Sequence, residues 1–169
     1  MGRTKVMSKA LIVVLILLNV GCDQATKSIA RTQLDYHEPV SIIQDRLTLI
    51  KVENYGAFLS SGDSLPAAFK FVLLSLLPLL VLLYGLYFLM SRERLDPLFV
   101  VGLSFVIGGG AGNLYDRFVH GSVTDFMHMD LFLFQTGVFN VADLSIMSGM
   151  CLILWNVYVR KISGFSTML

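Results

Sequence analysis

The feature that most constrains this chain is an almost unbroken apolar stretch over residues 67–90. About 20 helical residues, rising ~1.5 Å each, cross a hydrocarbon core roughly 30 Å thick. Three further apolar segments, residues 9–30, 97–115 and 139–159, are of similar length. Because 55% of the 169 residues are hydrophobic and only 15% are charged, a soluble core of this size would not hide the apolar surface. We predict a mainly α membrane protein, a single domain with four transmembrane helices.

Basic residues are unevenly distributed and predict how the four helices are oriented. Seven of the 13 basic residues lie in three short segments: the N-terminus, residues 91–96 and the C-terminus. The two longer segments, about residues 31–66 and 116–138, hold ten of the 12 acidic residues together with the helix ends beside them. Since short segments rich in Lys and Arg stay in the cytoplasm, we expect both termini there and the longer segments on the outer side.

Residues 31–66 differ from the rest, with short apolar runs at 40–43 and 47–52 separated by polar and glycine residues. Such a pattern predicts short strands and turns, and therefore a small β-sheet between the first and second helices. Asn54 and Gly56 follow the second run. They fit a plain surface turn, which is the simpler interpretation, and also a cradle in which Asn54 offers its amide to a peptide backbone.

The first apolar segment has two interpretations. Its basic flank and its end at Val20-Gly21-Cys22 are similar to a secretory signal with a lipoprotein cleavage site. Against cleavage, Leu18 lies one position too far upstream, and Asp23 and Lys27 have the i, i+4 spacing of a same-face helical pair. We therefore predict an uncleaved helix with a polar outer end. Cys22 and Cys151 both lie in apolar runs and are expected to be buried free thiols.

Proline and glycine positions add detail to the second and third helices. Pro78 lies mid-span and is expected to kink the second helix, because it removes a backbone donor. The third helix carries Gly102, Gly109 and Gly112, which would let another helix backbone approach closely. The Lys-Ser/Thr ending of a phosphate-binding loop is missing from this glycine-rich stretch.

Carboxylates and amides cluster where the third helix ends and the fourth begins. Asn113, Asp116 and Arg117 can share one face of the third helix. Asp143 follows Asn140 by three residues, roughly 5 Å into the fourth helix, and Asp125 lies in the intervening loop. Each lone Asp could be a helix cap or an ion-pair partner, and for Asp116 we prefer that structural role, paired with Arg117 or another polar helix end.

If Asp125 and Asp143 meet, they form a site that can hydrolyse an amide bond. Two adjacent carboxylates do not both ionise easily, so one pKa rises and the two share a proton. One then activates water and the other protonates the leaving amine. Other chemistries fit less well: the three histidines lack metal-ligand spacing, no serine has a nucleophile-elbow flank, and no basic stripe indicates nucleic-acid binding. No metal and no cofactor are expected.

The chain resembles the lipoprotein signal peptidase (signal peptidase II) family over nearly its whole length. Five ordered motifs carry the resemblance: Asp23-Gln24-x-Thr26-Lys27, Asn54-x-Gly56-Ala57-Phe58, Gly109-x-x-Gly112-Asn113-x-x-Asp116-Arg117, Val123-Thr124-Asp125-Phe126 and Phe139-Asn140-x-Ala142-Asp143. The resemblance implies a monomeric, multi-pass protein of the bacterial inner membrane with a small periplasmic sheet. It also implies an aspartic endopeptidase that removes the signal peptide from diacylglyceryl-modified prolipoproteins, cutting before the lipidated cysteine, with membrane lipid as its surroundings.

The resemblance also implies roles for individual residues. Asp125 and Asp143 would be catalytic. Substrate binding and support of the site would fall to Asn54, Gly56, Asn113, Arg117, Asn140, Asp23 and Lys27, and structural roles to Asp116, Gly109 and Gly112. Two departures from the family pattern are that Phe58 directly follows Ala57, which makes that loop one residue shorter, and that Leu144 stands where a serine is common after the last aspartate.

Substrate access and rival functions complete the expectations. A diacylated substrate leaves the bilayer only at a cost of about 0.8 kcal/mol per buried methylene, so we expect a groove beside the glycine-rich third helix, near Gly109, to admit the lipid laterally. The rival functions are an intramembrane protease of the presenilin type, a non-enzymatic four-span protein, and a lipoprotein modified at Cys22. The presenilin type would need a Gly-x-Gly-Asp sequence, which the chain lacks.

Overall fold

The computed structural model describes residues 7–36, 38–43, 46–56, 66–132 and 134–166, with side chains up to Arg160. Within these residues four helices are long and apolar enough to span a membrane, which confirms the predicted architecture. The elements in chain order are α1 Lys9–Gln33, β1 Val40–Ile43, β2 Leu47–Asn54, α2 Ala67–Ser91, α3 Pro97–Val119, β3 Val123–Met129 and α4 Val141–Ser166. The shortened loop at Ala57 and Phe58 lies outside the described residues.

Local features explain where α1 begins and mark an irregular turn within α2. Ser8 caps α1 by accepting a hydrogen bond from the Leu11 N–H. The helix continues without interruption past Cys22 and ends at Gln33, three residues beyond its predicted end at residue 30. Helix α2 contains a π-helical turn, Val72–Leu76, in which the Leu77 N–H donates to the Val72 carbonyl. This wider turn ends two residues before Pro78, and the kink expected at Pro78 itself stays a prediction.

Helix α3 lies at the centre and packs against the other three helices. Asp96 caps its N-terminus and Pro97 occupies its first turn, as the sequence favours. Its glycines form the contacts: a Cβ on Gly102 would meet the Gly149 carbonyl of α4, and one on Gly108 would meet Asn19 of α1. The predicted end at residue 115 is wrong, because α3 continues to Val119.

The small sheet has three antiparallel strands in the order β1-β2-β3. Its first two strands were predicted, but β3 was not: the 116–138 segment was interpreted as a loop, and the structure places Asp125 within a strand. Residues Val123 to Phe126 are all buried. Because apolar and polar residues do not alternate regularly along β3, the pattern that predicts a half-buried strand is absent. Gly121, with φ +77°, makes the turn between α3 and this strand.

Both cysteines are free, as expected, but the expectation that they are buried is wrong. Cys22 and Cys151 are exposed on α1 and α4. A spanning helix presents apolar residues on its outer face as well as its inner one, so an apolar run alone does not reveal which face a cysteine occupies.

Candidate active site

Strand pairing on both sides of β3 places Asp125 between β2 and the start of α4. On one side Asp125 lies opposite Val52 of β2. On the other side the N–H groups of Phe126 and Met127 donate to the Phe139 carbonyl at 3.1 and 2.9 Å. This pairing sets the position of the next residue, Asn140, which therefore lies beside the Asp125 carboxylate.

Asn140 and Asp143 form a reciprocal cap at the N-terminus of α4. The Asp143 N–H donates to Asn140 Oδ1 at 3.0 Å, and the Asn140 N–H donates to Asp143 Oδ2 at 3.1 Å. A residue at the third helical position that reaches back to the cap residue is held in one rotamer. The helix dipole also favours negative charge at this end. Asp143 is thus fixed at the mouth of α4 by its own helix.

The side chain of Asn140 joins the Asp125 carboxylate to the backbone of Asp143. Because its oxygen accepts the Asp143 N–H, its Nδ2 must point the other way, where it donates to Asp125 Oδ1 at 2.6 Å and to Asn113 Oδ1 at 3.1 Å. Asn140 is fully buried. Asn140 therefore binds the Asp125 carboxylate through its side-chain amide and the Asp143 carboxylate through its backbone N–H. The two carboxylates have this residue as a common neighbour.

Asn113 on α3 is the second amide that contacts the pair, and Lys27 determines its orientation. Lys27 Nζ donates to Asn113 Oδ1 at 2.8 Å. With that oxygen occupied, Asn113 Nδ2 faces Asp143 Oδ1 and donates to it at 2.9 Å. Lys27 reaches Asp143 only through this amide, so its charge supports the site without being paired to either member of it.

Beneath the amides lies an ion-paired group, defined as Asp23, Lys27, Arg31 and Asp116. Lys27 Nζ lies 2.8 Å from Asp23 Oδ2 and 3.0 Å from Asp116 Oδ2, and Arg31 lies 2.9 Å from Asp116 Oδ1. With Asn113, these contacts use all three Lys27 donors. Asp23 also accepts the Ala142 N–H at 2.9 Å, which ties α1 to the first turn of α4. The predicted i, i+4 pair of Asp23 and Lys27 is confirmed.

The sheet contributes Asn54 and Gly56. Asn54 Nδ2 donates to Asp125 Oδ2 at 3.0 Å, while its Oδ1 accepts the Gly56 N–H at 3.0 Å. The Gly56 carbonyl accepts from Arg117 at 3.1 Å. Asn54 therefore binds a carboxylate of the site, whereas the sequence analysis considered it as a partner for a peptide backbone.

The electrostatic surroundings of Asp125 differ from those of an ordinary surface carboxyl. Burial, together with the neighbouring Asp143 charge, raises the pKa of Asp125 to about 6, although hydrogen bonds from Asn54 and Asn140 act to lower it. Near pH 6 Asp125 can thus hold or release a proton.

The sequence left two kinds of partner open for Asp116, Arg117 or another polar helix end. The structure shows the second: Asp116 pairs with Lys27 and Arg31 from the polar end of α1, and Arg117 contacts Gly56. The two are adjacent on a helix and point about 100° apart, so they serve different neighbours. Asp116 keeps the structural position anticipated for it.

Three polar contacts of the site were not predicted. Gln24 donates to Asp116 Oδ1 at 3.0 Å, Arg31 donates to Thr124 Oγ1 at 2.9 Å, and the Thr124 N–H donates to Asp116 Oδ2 at 3.3 Å. A signal for Arg31 exists in the sequence, since Asp23, Lys27 and Arg31 follow one another at intervals of four and share a helix face.

Gly109 and Gly112 each face another helix. A Cβ on Gly112 would meet the Asp23 carboxylate, and one on Gly109 would meet the Ala142 carbonyl and Ile146. Gly109 therefore lets the α4 backbone approach α3, and Gly112 leaves room for the Asp23 side chain. Lateral entry of the lipid between the third helix and its neighbours stays a prediction.

Leu144 stands where the family commonly has a serine, and the residue that carries a hydroxyl here is the next one, Ser145. Leu144 is exposed, and Ser145 is buried. Ser145 donates to Asn19 Oδ1 of α1 and makes a 3.0 Å hydrogen bond to the Phe105 carbonyl of α3. Its hydroxyl thus joins three helices below the site instead of contacting Asp143.

Comparison with known proteins gives a consistent result. The sequence profile of a family described as signal peptidase (SPase) II matches residues 14–159. A lipoprotein signal peptidase of Streptococcus pneumoniae is 30% identical over 92% of this chain and 97% of its own. One from Chlorobium phaeobacteroides is 36% identical over 78% and 80%. A solved bacterial membrane enzyme at 24% identity has the same fold, with a TM-score of 0.82 over 95% of this chain and 94% of its own.

Proposed function

The chain belongs to the signal peptidase II family, whose members remove signal peptides from prolipoproteins, and we propose that it does so as an aspartic endopeptidase through Asp125 and Asp143. The observation that carries this proposal is Asn140, which contacts both carboxylates at once, that of Asp125 through its side-chain amide N–H and that of Asp143 through its backbone N–H. Among the described residues no cation is bonded directly to Asp125 or Asp143. Two carboxylates held by the same residue without such a cation are suited to sharing a proton.

The proposed reaction divides the roles between the two acids. Asp143, whose negative charge the α4 dipole favours, takes a proton from water as the water oxygen attacks the scissile carbonyl carbon. Asp125, whose pKa of about 6 lets it carry a proton, gives that proton to the amide nitrogen as the C–N bond breaks. Water is thereby divided between the two products, and proton exchange within the pair restores the starting state.

Asn113, Asn140 and Asn54 act as positioning residues in this proposal. Each donates an amide N–H to one of the two carboxylates. Amide donors orient a carboxylate without the fixed charge of a lysine or arginine, so they leave the pair free to titrate. Arg117 and Gly56 would hold the substrate peptide beside the sheet.

We place the site at the outer surface of the bacterial inner membrane, with both termini cytoplasmic. The distribution of basic residues supports this orientation, and the polar side chains of the site lie at the ends of α1, α3 and α4 that adjoin the sheet. A diacylglyceryl-modified prolipoprotein keeps its acyl chains in the bilayer, so its scissile bond, just before the lipidated cysteine, would be presented at this depth.

The test uses purified protein in lipid or detergent with a diacylglyceryl-modified prolipoprotein. We expect Asp125→Asn and Asp143→Asn each to lower kcat by about 10²- to 10⁴-fold, the range of general acid–base catalysis. Asp130→Asn is a matched control directly after the same strand, because its carboxylate contacts Gln135 and the Phe132 N–H rather than the site. Full turnover by either site variant would overturn catalysis by the two aspartates, and absence of turnover by wild type would support a non-enzymatic role.

A further inference from the structure

Ser75 stands apart from its neighbours on α2. Within Ala67–Ser91 only Ser75 and Leu89 are buried, at 6% and 1% exposure, and the remaining side chains are half-buried or exposed. Ser75 lies in the π-helical turn Val72–Leu76. Single π turns inside α-helices are frequent at functional sites, and this one directs a small polar side chain inward from an otherwise apolar helix.

The hydroxyl of Ser75 makes no hydrogen bond with any residue that the structure describes, and its oxygen is not among the fully enclosed atoms that lack a partner. A serine in a membrane helix ordinarily bonds to its own backbone, as Ser104 does with the Val100 carbonyl at 2.7 Å. The Ser75 hydroxyl is therefore open to the cavity that it lines and can donate to an acceptor from outside the described fold.

An acceptor has room to bind, because Ser75 lines a cavity of about 240 Å³. Arg117, Lys70 and Tyr55 line its polar part, and Phe71 and Leu74 its apolar part. The lining residues include cations and hydroxyls but no carboxylate. Arg117 also attracts the charges of Asp125 and Asp143, so the cavity adjoins the proposed active site.

We propose that this cavity binds the glyceryl ester end of the lipidated substrate, with the Ser75 hydroxyl donating a hydrogen bond to an ester carbonyl. The proposal rests on the function proposed above. An ester carbonyl accepts hydrogen bonds and donates none, which matches a cavity whose lining supplies donors but no carboxylate acceptor. A peptide segment would bring N–H groups that need acceptors.

The position of Ser75 along α2 favours lipid over peptide. It is the ninth residue of the helix, about 12 Å along the axis from the first at a rise of ~1.5 Å per residue. Leu73, Leu76 and Leu77 beside it are exposed, so acyl chains leaving the cavity would continue along an apolar helix surface. The ester groups of a lipid lie where its polar end meets its hydrocarbon.

The test combines one enzyme change with one substrate change. Kinetics are measured for wild type and Ser75→Ala with a diacyl ester substrate and with a dialkyl ether analogue that lacks the carbonyl oxygens. We expect Ser75→Ala to raise KM for the ester about three- to tenfold, the worth of one hydrogen bond, with kcat little changed. The ether should cost wild type a similar factor, and Ser75→Ala should no longer distinguish the two substrates.

Two variants serve as controls. Ser104→Ala removes a hydroxyl bonded within its own helix and should keep the full preference for the ester. Ser75→Thr retains a hydroxyl and should restore that preference. If the effects of Ser75→Ala and of the ether multiply as independent factors, or if Ser75→Ala changes nothing, the ester-binding role is overturned. Failure of wild type to cleave either substrate would instead overturn the proposed function itself.

Discussion

The polar interior of this protein holds two kinds of carboxylate, and they are stabilised in opposite ways. Asp23 and Asp116 are fully buried and bonded to the cation Lys27, which is also fully buried. Asp125 and Asp143 receive neutral amide donors from Asn54, Asn113 and Asn140. A cation fixes a carboxylate in its charged form, whereas an amide orients it and leaves protonation possible. Asp23 and Asp116 thus stabilise the structure, and the proposed chemistry belongs to Asp125 and Asp143.

Direct ion pairs support the same division. In the ion-paired group two carboxylates, Asp23 and Asp116, face two cations, Lys27 and Arg31. Asp125 and Asp143 have no directly bonded cation among the described residues, and uncompensated charge at a membrane boundary is costly. A proton shared by Asp125 and Asp143 would halve the negative charge that they carry.

Removing Lys27 should produce the largest effect and break the ion-paired group. Lys27→Met leaves Asp23 and Asp116 without their shared cation, and unpairing a buried charge costs about 3–5 kcal/mol. We expect a large fall in the Tm in detergent and little folded protein. Lys51→Met is the control, because Lys51 lies over the Tyr36 ring on the half-buried sheet. If Lys27→Met folds as stably as Lys51→Met, the ion-paired group is not structural.

The two kinds of aspartate should also differ when each is neutralised. Asp116→Asn weakens charged hydrogen bonds and should cost roughly 1.5–3 kcal/mol. The raised pKa of Asp125 acts in the opposite sense: its stabilising contribution is present below about pH 4 and is lost as pH rises through about 6. At pH 8, Asp125→Asn should therefore lower the Tm much less than Asp116→Asn. The reverse order would contradict the division between the two groups.

The sequence predicted the parts of the fold that depend on local pattern. Spans were located because hydropathy is a property of consecutive residues, and the Asp23–Lys27 pair because its spacing is one helical turn. Strand β3 was missed, since its buried residues do not alternate. Gln24 and Asp116 are 92 residues apart, and no local periodicity indicates such a contact. The meeting of Asp125 and Asp143 followed from family resemblance, because spacing alone left both as possible caps.

Asn113 connects the two groups, so changing it should affect activity more than stability. Asn113→Ala removes the donor to Asp143 Oδ1 and one acceptor of Lys27 Nζ. Misplacing a reacting group by about 1 Å can cost on the order of 100-fold in rate, so we expect kcat to fall about 10- to 100-fold. The Tm should fall by less than it does in Lys27→Met. An unchanged kcat would show that Asp143 needs no donor from α3.

The smallest effect expected is a shift in pH dependence. Since Asp125 must carry a proton in the proposed reaction, kcat/KM should decline above about pH 6, approaching about tenfold per pH unit as that proton is lost. The Asn54 amide lowers the pKa of Asp125 by favouring its charged form. Asn54→Leu keeps the site buried while removing that donor, so the pKa rises and the alkaline decline moves to higher pH.

A matched variant separates this shift from a general loss of activity. Asn156→Leu makes the same exchange at a buried position of α4, which contributes no hydrogen bond to Asp125, and should leave the pH profile in place. The rate below pH 6 is compared as well, because loosening of the turn at Gly56 would lower it without moving the decline. A decline that moves to lower pH in Asn54→Leu would mean that Asp125 is not the group that must hold the proton, and the roles of Asp125 and Asp143 would then be exchanged.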